Sequence, residues 1–333
     1  MTPSLTEINP QVALAPMEGV LEATVRELIT AQGGWDFCVT EFVRVSHERL
    51  PLKVFHRCSP ELRQGAVTPS GVPVHLQLLG SDPESMAINA RVAAKAGAQV
   101  VDLNFGCPAK IVNRHGGGAS LLRKPEQVGA VTRAVVEALK PLQLPVTAKM
   151  RLGFEDTSLA VENAQAIEAA GATQLVIHAR TKVQGYKPPA HWAEIGRIAQ
   201  AVSLPLFANG DIWTLEDYQK CCQASGVNQV MLGRTAMADP WLAARIKAYA
   251  AGQAFAETRF SDLLGLMLTW MQSGGSQYSE RVRVMRIKQW LLMLVPRWGD
   301  LARKAFDQCK RLEEESQVIE LLEAKGGAAL MPS

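Results

Sequence analysis

The 333-residue sequence predicts an α/β fold, a closed (β/α)8 barrel of the TIM type over residues 1–245 followed by a smaller all-helical domain over residues 250–333. Three observations predict it. Short apolar segments alternate with amphipathic helical ones from about residue 10 to 245, the pattern of parallel βα units. Eight apolar segments can be counted, the number that closes such a barrel. Beyond residue 250 the periodicity is helical without strand signals, interrupted by a loop-like break at "SGGSQ" (273–277).

The eight strand segments are "VALAPM" (12–17), "FCVTEF" (37–42), "VHLQLLG" (74–80), "VVDLNF" (100–105), "PVTAKM" (145–150), "QLVIHA" (174–179), "PLFANG" (205–210) and "QVMLGR" (229–234). Helix signals lie between them. Asp82 and Pro83 open a segment ending near Gly97, and Pro125 opens one that runs to about Lys140. Thr214 with Asp217 reads as a capping box, in which each side chain satisfies a backbone N–H of the other's turn.

Composition bounds the reading. With 47% hydrophobic residues and 26 glycines the chain can bury a large core. No charged and apolar leader opens the sequence, and no apolar run approaches the roughly 20 residues needed to cross a bilayer, so a cytoplasmic protein without a membrane partner is expected. The six cysteines form no CxxC pair and no ligand-like spacing with histidines, so reduced, mostly buried thiols are expected, with no zinc site and no disulfide framework. The net charge of +3 says little, because nucleic-acid affinity depends on where basic groups cluster.

In a (β/α)8 barrel the chemistry gathers where strands end and loops begin. Here the strand ends carry Met17 and Glu18, Glu41, Gln77, Asn104, Lys149 and Arg151, His178 and Arg180, Asn209 and Asp211, and Gly233 and Arg234. Any one of them could be a solvated loop starter or a helix cap; their regularity at one end argues for a site. "ANGDI" (208–212) and "LGRTA" (232–236) put glycines where the last two strands hand over to helices, which suits a phosphate cradle with Arg234 as its fixed charge, or simply tight βα turns. Lys149 ends an otherwise apolar strand and needs a partner, such as negative charge on a bound ring system. Gln77 could hydrogen-bond a heterocycle edge, and His178 is either a ligand contact or a satisfied structural histidine.

"APMEG" (15–19), "QLLG" (77–80), "LNFGCPAKIVNRHGGGASLL" (103–122), "KMRLG" (149–153), "IHART" (177–181) and "ANGDI" together resemble the tRNA-dihydrouridine synthase family across the whole barrel. "TEFVRVS" (40–46), "LPLKVFHR" (50–57) and "RIKQWL" (286–291) resemble its bacterial C subgroup, whose members act on the uridine at position 16 of the tRNA D loop. The resemblance implies a flavin enzyme that uses FMN and NADPH to saturate the C5–C6 bond of uracil in RNA. It implies FMN contacts from Pro16, Met17, Gln77, Lys149, His178, Asn209, Gly210, Asp211, Gly233 and Arg234, makes Cys107 the proton donor, and sets Asn104 beside the uracil. Phe105, and Arg114 with His115 before the triple glycine, depart from the family pattern.

The implied reaction can be checked against elementary chemistry. Hydride must reach one carbon and a proton its neighbour, so the acid must hold its proton at neutral pH. A thiol with pKa near ~8.5 meets that demand where an unperturbed carboxyl does not. An isolated cysteine is otherwise a small buried hydrophobe. Gly106 and Pro108 would shape the loop of Cys107, and the glycines at 116–118 would let it move over the substrate.

The base must be turned out of a folded RNA, and the surface expected to offset that cost lies in the helical domain. From Arg281 to Lys304 it carries Arg281, Arg283, Arg286, Lys288, Arg297, Arg303 and Lys304 against Asp300, interleaved with Trp290 and Trp298. Such a stripe either grips phosphates or merely solvates a helix face. Arg44, Arg151, Arg180, Arg286 and Lys288 are accordingly expected to contact tRNA, with Glu313–Glu315 on the far, solvated side and the protein a monomer. Two other readings stay open: a flavin barrel acting on a free small molecule of the dihydroorotate or enoate type, and a non-catalytic RNA-binding barrel.

Overall fold

A computed structural model describes residues 9–114, 116–275 and 277–326. Its centre is a ring of parallel strands: β1 (Val12–Leu14), β2 (Phe37–Val39), β4 (Val74–Leu79), β5 (Val101–Phe105), β6 (Val146–Arg151), β7 (Gln174–His178), β8 (Leu206–Asn209) and β9 (Val230–Leu232). The order β2-β1-β9-β8-β7-β6-β5-β4 closes through the pairing of β2 with β4. Every strand expected from the sequence is present, and the barrel is closed as expected. One addition is β3 (Val43–Arg44), a two-residue strand that extends the rim against Leu78 and Leu79 of β4.

The helices between strands begin and end where local chemistry dictates. Helix α3 (Pro83–Ala96) is capped by Asp82, whose carboxylate accepts from the Ser85 N–H, and it stops at Gly97 in the left-handed region. Helix α5 (Pro125–Leu139) starts at its proline. Helix α8 (Leu215–Ser225) carries the complete Thr214–Asp217 capping box.

Alternate residues of each strand face the barrel axis. Ala13, Ala15, Phe37, Val39, Val176, Phe207 and Met231 fill part of it as one apolar cluster, with the His75 ring stacked on Phe37 at 4.3 Å. The same alternation brings Gln77, Asp102, Asn104, Thr147 and Lys149 together on the β4–β6 side, because Gln77 lies opposite Asp102, Asp102 opposite Thr147, and Asn104 opposite Lys149.

Helix α10 (Leu242–Ala250) spans the expected boundary, and its Lys247 pairs with Asp36 of the barrel at 2.8 Å. Beyond it lie α11 (Phe260–Thr269), α12 (Glu280–Cys309) and α13 (Glu315–Gly326). These helices are docked by indole donors. Trp290 Nε1 donates to the Met237 carbonyl at 2.8 Å, Trp298 Nε1 to that of Ala238 at 2.7 Å, and Trp270 Nε1 to Thr24 Oγ1 at 3.1 Å.

Within the expected basic stripe the two tryptophans fasten α12 to the barrel, because an indole N–H removed from water must find an acceptor. Arg283 pairs with Glu315, which is thus not on a remote solvated face, and Arg286 lies 3.7 Å from Glu22 and over the Tyr278 ring. Gly299, at φ 50°, breaks α12 and separates Arg281 and Lys288 from Arg303 and Lys304. A π-helical turn, Trp270–Gly274, runs into the first two residues of the segment 273–277, in which Ser276 lies outside the described residues.

Candidate active site

A cavity of about 770 Å³ opens at the C-terminal ends of the strands, within the size range of small-molecule pockets. Pro16 and Met17 after β1, Gln77 on β4, Asn104 on β5, Lys149 and Arg151 on β6, and His178 on β7 all contribute to its wall. Asn209, Gly210 and Asp211 at the end of β8, Gly233 and Arg234 after β9, and Arg44 of β3 line it as well. Three predicted residues do not: Arg286 and Lys288 lie on α12, and Arg180 is fully buried, paired with Asp211 and donating to the Lys187 carbonyl at 2.8 Å. Its expected contact with RNA is replaced by a structural one.

Cys107 sits on the loop between β5 and the short helix α4 (Lys110–Arg114) and lines the cavity. Four backbone groups pin this loop. Asn104 Oδ1 accepts from the N–H of Gly106 at 2.9 Å and of Cys107 at 2.8 Å. The Gly106 carbonyl accepts from Arg151 Nε at 2.8 Å, and the Cys107 carbonyl accepts from Asn113 Nδ2 at 3.1 Å and the Ala119 N–H at 3.2 Å. Gly118, at φ 58°, leaves no room for a side chain, since a Cβ would come within 2.8 Å of the Cys107 carbonyl oxygen. Gly118 thus permits close packing beneath Cys107. Phe105 is buried in the main core, and His115 lies outside the described residues.

Burial raises the Cys107 thiol above its ordinary pKa; Glu18 adds to the rise, while the Ala109 N–H, Arg44 and Arg151 oppose it. The group is a thiol at neutral pH. Of the six cysteines, all free, only Cys58 and Cys107 are partly exposed.

Lys149 is half-buried in the cavity wall, and among the described residues its ammonium has one hydrogen-bond acceptor, Asn209 Oδ1 at 3.2 Å. Asn209 is itself oriented by donating Nδ2 to the Met231 carbonyl at 2.7 Å. Burial, with Arg151 adding to it, pushes the Lys149 ammonium down to about 8. The Asp102 carboxylate opposes this shift without forming an ion pair with Lys149, and a desolvated cation so placed is costly unless a ligand supplies more negative charge. Burial and the cations Arg151, Lys149, Arg180 and Arg234 keep His178 well below its ordinary range, so its ring is neutral.

At the end of β8, Gly210 at φ 120° lies so close to the His178 ring that a Cβ would meet its Cδ2 at 2.9 Å. The next residue, Asp211, turns its carboxylate back to Arg180, so the backbone of the turn rather than the acid is offered to an anion. Arg234 stands over the rings of Tyr186 and Trp213, at 4.9 and 5.5 Å. The donor set therefore fits a phosphate-bearing ring cofactor: a positive rim at Arg234, glycine at the strand end, and an underemployed cation deeper in.

Several residues of the site were not assigned from sequence. Asp102, buried behind the wall against Gln77, could have been suspected, as a carboxylate inside an apolar run. Tyr186, Trp213 and Met293, the last contributed by α12, carried no signal, because loops and helices distant in sequence bring them to the cavity.

Comparison with known proteins agrees with this geometry. The family profile "Dihydrouridine synthase (Dus)" matches residues 13–326. A "tRNA-dihydrouridine(16) synthase" of Aquipseudomonas alcaligenes is 45% identical over 312 residues, 94% of this chain and 98% of that protein. The protein of the same description from Pseudomonas putida is 46% identical over 321 residues, 93% of this chain and 98% of its own. One from Neisseria meningitidis serogroup A is 42% identical, with 94% of each chain covered. Among solved structures, the 6-hydroxypseudooxynicotine amine oxidase of Pseudomonas geniculata superposes with a TM-score of 0.54 over 76% of this chain and 51% of that one, at 14% identity, a likeness of fold alone.

Proposed function

The chain belongs to the dihydrouridine synthase family, and from that premise we propose that it reduces the C5–C6 double bond of the uridine at position 16 of the tRNA D loop, with FMN as resident cofactor and NADPH as reductant. The names of its relatives support the substrate and position. The reading places the enzyme in the cytoplasm with tRNA; among the described residues no helix is long and apolar enough to cross a membrane.

In this reading Arg234 and the backbone of Gly210, Asp211 and Gly233 hold the FMN phosphate, and Pro16, Met17, Gln77, His178 and Asn209 bound the ring. Lys149 supports negative charge on the ring, the kind of electronic tuning a protein contributes to a flavin. When bound, reduced FMN supplies the hydride that adds to C6 of the uracil. Cys107 supplies the proton: its S–H bond breaks as the C5–H bond forms, and solvent reprotonates the thiolate. Asn104 lies beside the uracil in this reading: its oxygen is committed to the Cys107 loop and one N–H to Gln77, which leaves the second N–H of its amide for the base.

The observation that carries the proposal is a protonated thiol on a pinned loop facing the same cavity as an underemployed half-buried lysine. Cys107→Ala tests it. The variant should purify with its flavin absorbance intact and lose dihydrouridine formation on tRNA by about a hundredfold or more, the range for a lost general acid. Unchanged turnover would remove the acid assignment. Mass analysis of tRNA from cells lacking the protein checks the position, since dihydrouridine should disappear at residue 16 alone.

A further inference from the structure

The mechanism above uses Cys107 but not Asp102, although Asp102 is the one carboxylate among the interior polar groups that the registers of β4–β6 bring together. It is buried, 1% exposed, and both of its oxygens accept: Oδ2 from Gln77 Nε2 at 2.7 Å and Oδ1 from Thr147 Oγ1 at 2.7 Å. Gln77 is completely buried, and its Oε1 accepts from Asn104 Nδ2 at 2.7 Å. Asn104 in turn receives the N–H groups of Gly106 and Cys107.

The direction of this chain follows from its two ends. Backbone N–H groups can only donate, so Asn104 must turn its oxygen to the loop and its NH2 to Gln77. Gln77 then has to present its oxygen to Asn104 and its NH2 to Asp102. A carboxylate suits that last place because it only accepts, and a charged acceptor strengthens the bonds linked to it. Any reversal of one amide leaves two donors or two acceptors facing each other in a buried site, at a cost of about 1–3 kcal/mol per unsatisfied group.

We propose that Asp102 is a positioning residue for Cys107, setting through Gln77 and Asn104 the orientation of the loop that presents the thiol to the cavity. The inference rests on the reading of Cys107 as the acid, but the loop can be observed independently of turnover. Because Asp102 also helps keep Lys149 protonated, the loop itself is the better reporter.

Hydrogen–deuterium exchange read by mass spectrometry on the peptide spanning residues 103–114 tests the proposal in the full-length protein, with and without FMN. Exchange should quicken in the order wild type, Asp102→Asn, Asp102→Ala: a few-fold for the isosteric amide, which can still accept from Gln77, and about tenfold or more where the acceptor is gone. Iodoacetamide labelling of Cys107 should rise in the same order. At saturating FMN, kcat on tRNA should follow while KM for tRNA and the rate of flavin reduction by NADPH stay within about twofold, as expected when only the chemical step is misaligned. Exchange and labelling equal to wild type in folded Asp102→Asn and Asp102→Ala would overturn the proposal. If Asp102→Ala does not fold, wild-type exchange and labelling in Asp102→Asn alone would overturn it. A loosened loop in these variants, together with full activity in Cys107→Ala, would instead sink the acid assignment and leave the positioning role standing.

Discussion

The barrel mouth and helix α12 are both rich in cations, held in opposite ways. At the mouth Arg151 and Arg180 are buried, and their guanidinium groups are taken up by carbonyls and by Asp211. Lys149 beside them has only the Asn209 amide. On α12, Arg283 and Arg286 turn toward carboxylates of α13 and the barrel, whereas Arg281, Arg303 and Lys304 stand in solvent. In each region the charge available to a ligand is what remains after the protein's own acceptors have been subtracted. At the mouth the remainder is Lys149 with Arg234 and Arg44, gathered around one cavity; on α12 it is a few hydrated charges suited to a polyanion.

The sharpest way to break this contrast is Lys149→Met. It should lower FMN affinity by about ten- to a hundredfold, the equivalent of one charge-assisted bond of roughly 1.5–3 kcal/mol, as measured by flavin fluorescence titration. Wild-type affinity in that variant would show that the lysine is not the cation the cofactor needs.

Next in size is a pH effect confined to the mouth. The ligand-free Lys149 ammonium is pushed down to about 8, below its ordinary value. Between that value and the unfolded value of ~10.4, the unfolded chain holds a proton that the folded one has lost, so the free protein gains stability as pH rises through this window. A bound anion favours the protonated form. FMN affinity should therefore weaken as pH climbs past the folded pKa, by up to about tenfold per pH unit, and the slope should vanish in Lys149→Met. Calorimetric titration at neutral and alkaline pH checks both.

The smallest effect belongs to α12. Neutralising Arg281 and Lys288 should weaken tRNA binding evenly across tRNA species and lower the slope of log affinity against log salt by about one for each phosphate left unneutralised, without changing FMN content. A change in FMN content would mean that α12 had shifted from the barrel, where Met293 reaches the cavity wall.

Strand alternation, proline and Asp–Pro helix starts, the Thr214–Asp217 box and the polar strand ends were all legible, and they led to the closed barrel and to most of the polar wall residues. Other features were not. Arg180 reads like Arg234 in sequence, two cations after barrel strands, yet one is fully buried against Asp211 and the other stands over aromatic rings. The tryptophans of α12 read as part of the basic stripe until Met237 and Ala238 are seen to accept their N–H groups. Nothing in the run of glycines after Cys107 tells in sequence that Gly118 packs against its carbonyl.

What the amino-acid order determined by itself was periodic and local: eight apolar runs with the turn chemistry between them, and the side-chain types at each strand end, because period, caps and turns depend on near neighbours in the chain. The tertiary structure alone decided which polar group is already satisfied. Lys149 meets Asn209 sixty residues away, and Asp102 meets Gln77 twenty-five residues away. Such partnerships form only when strands distant in sequence fall into register, and burial then turns each unmet donor or charge into a demand that a ligand must answer.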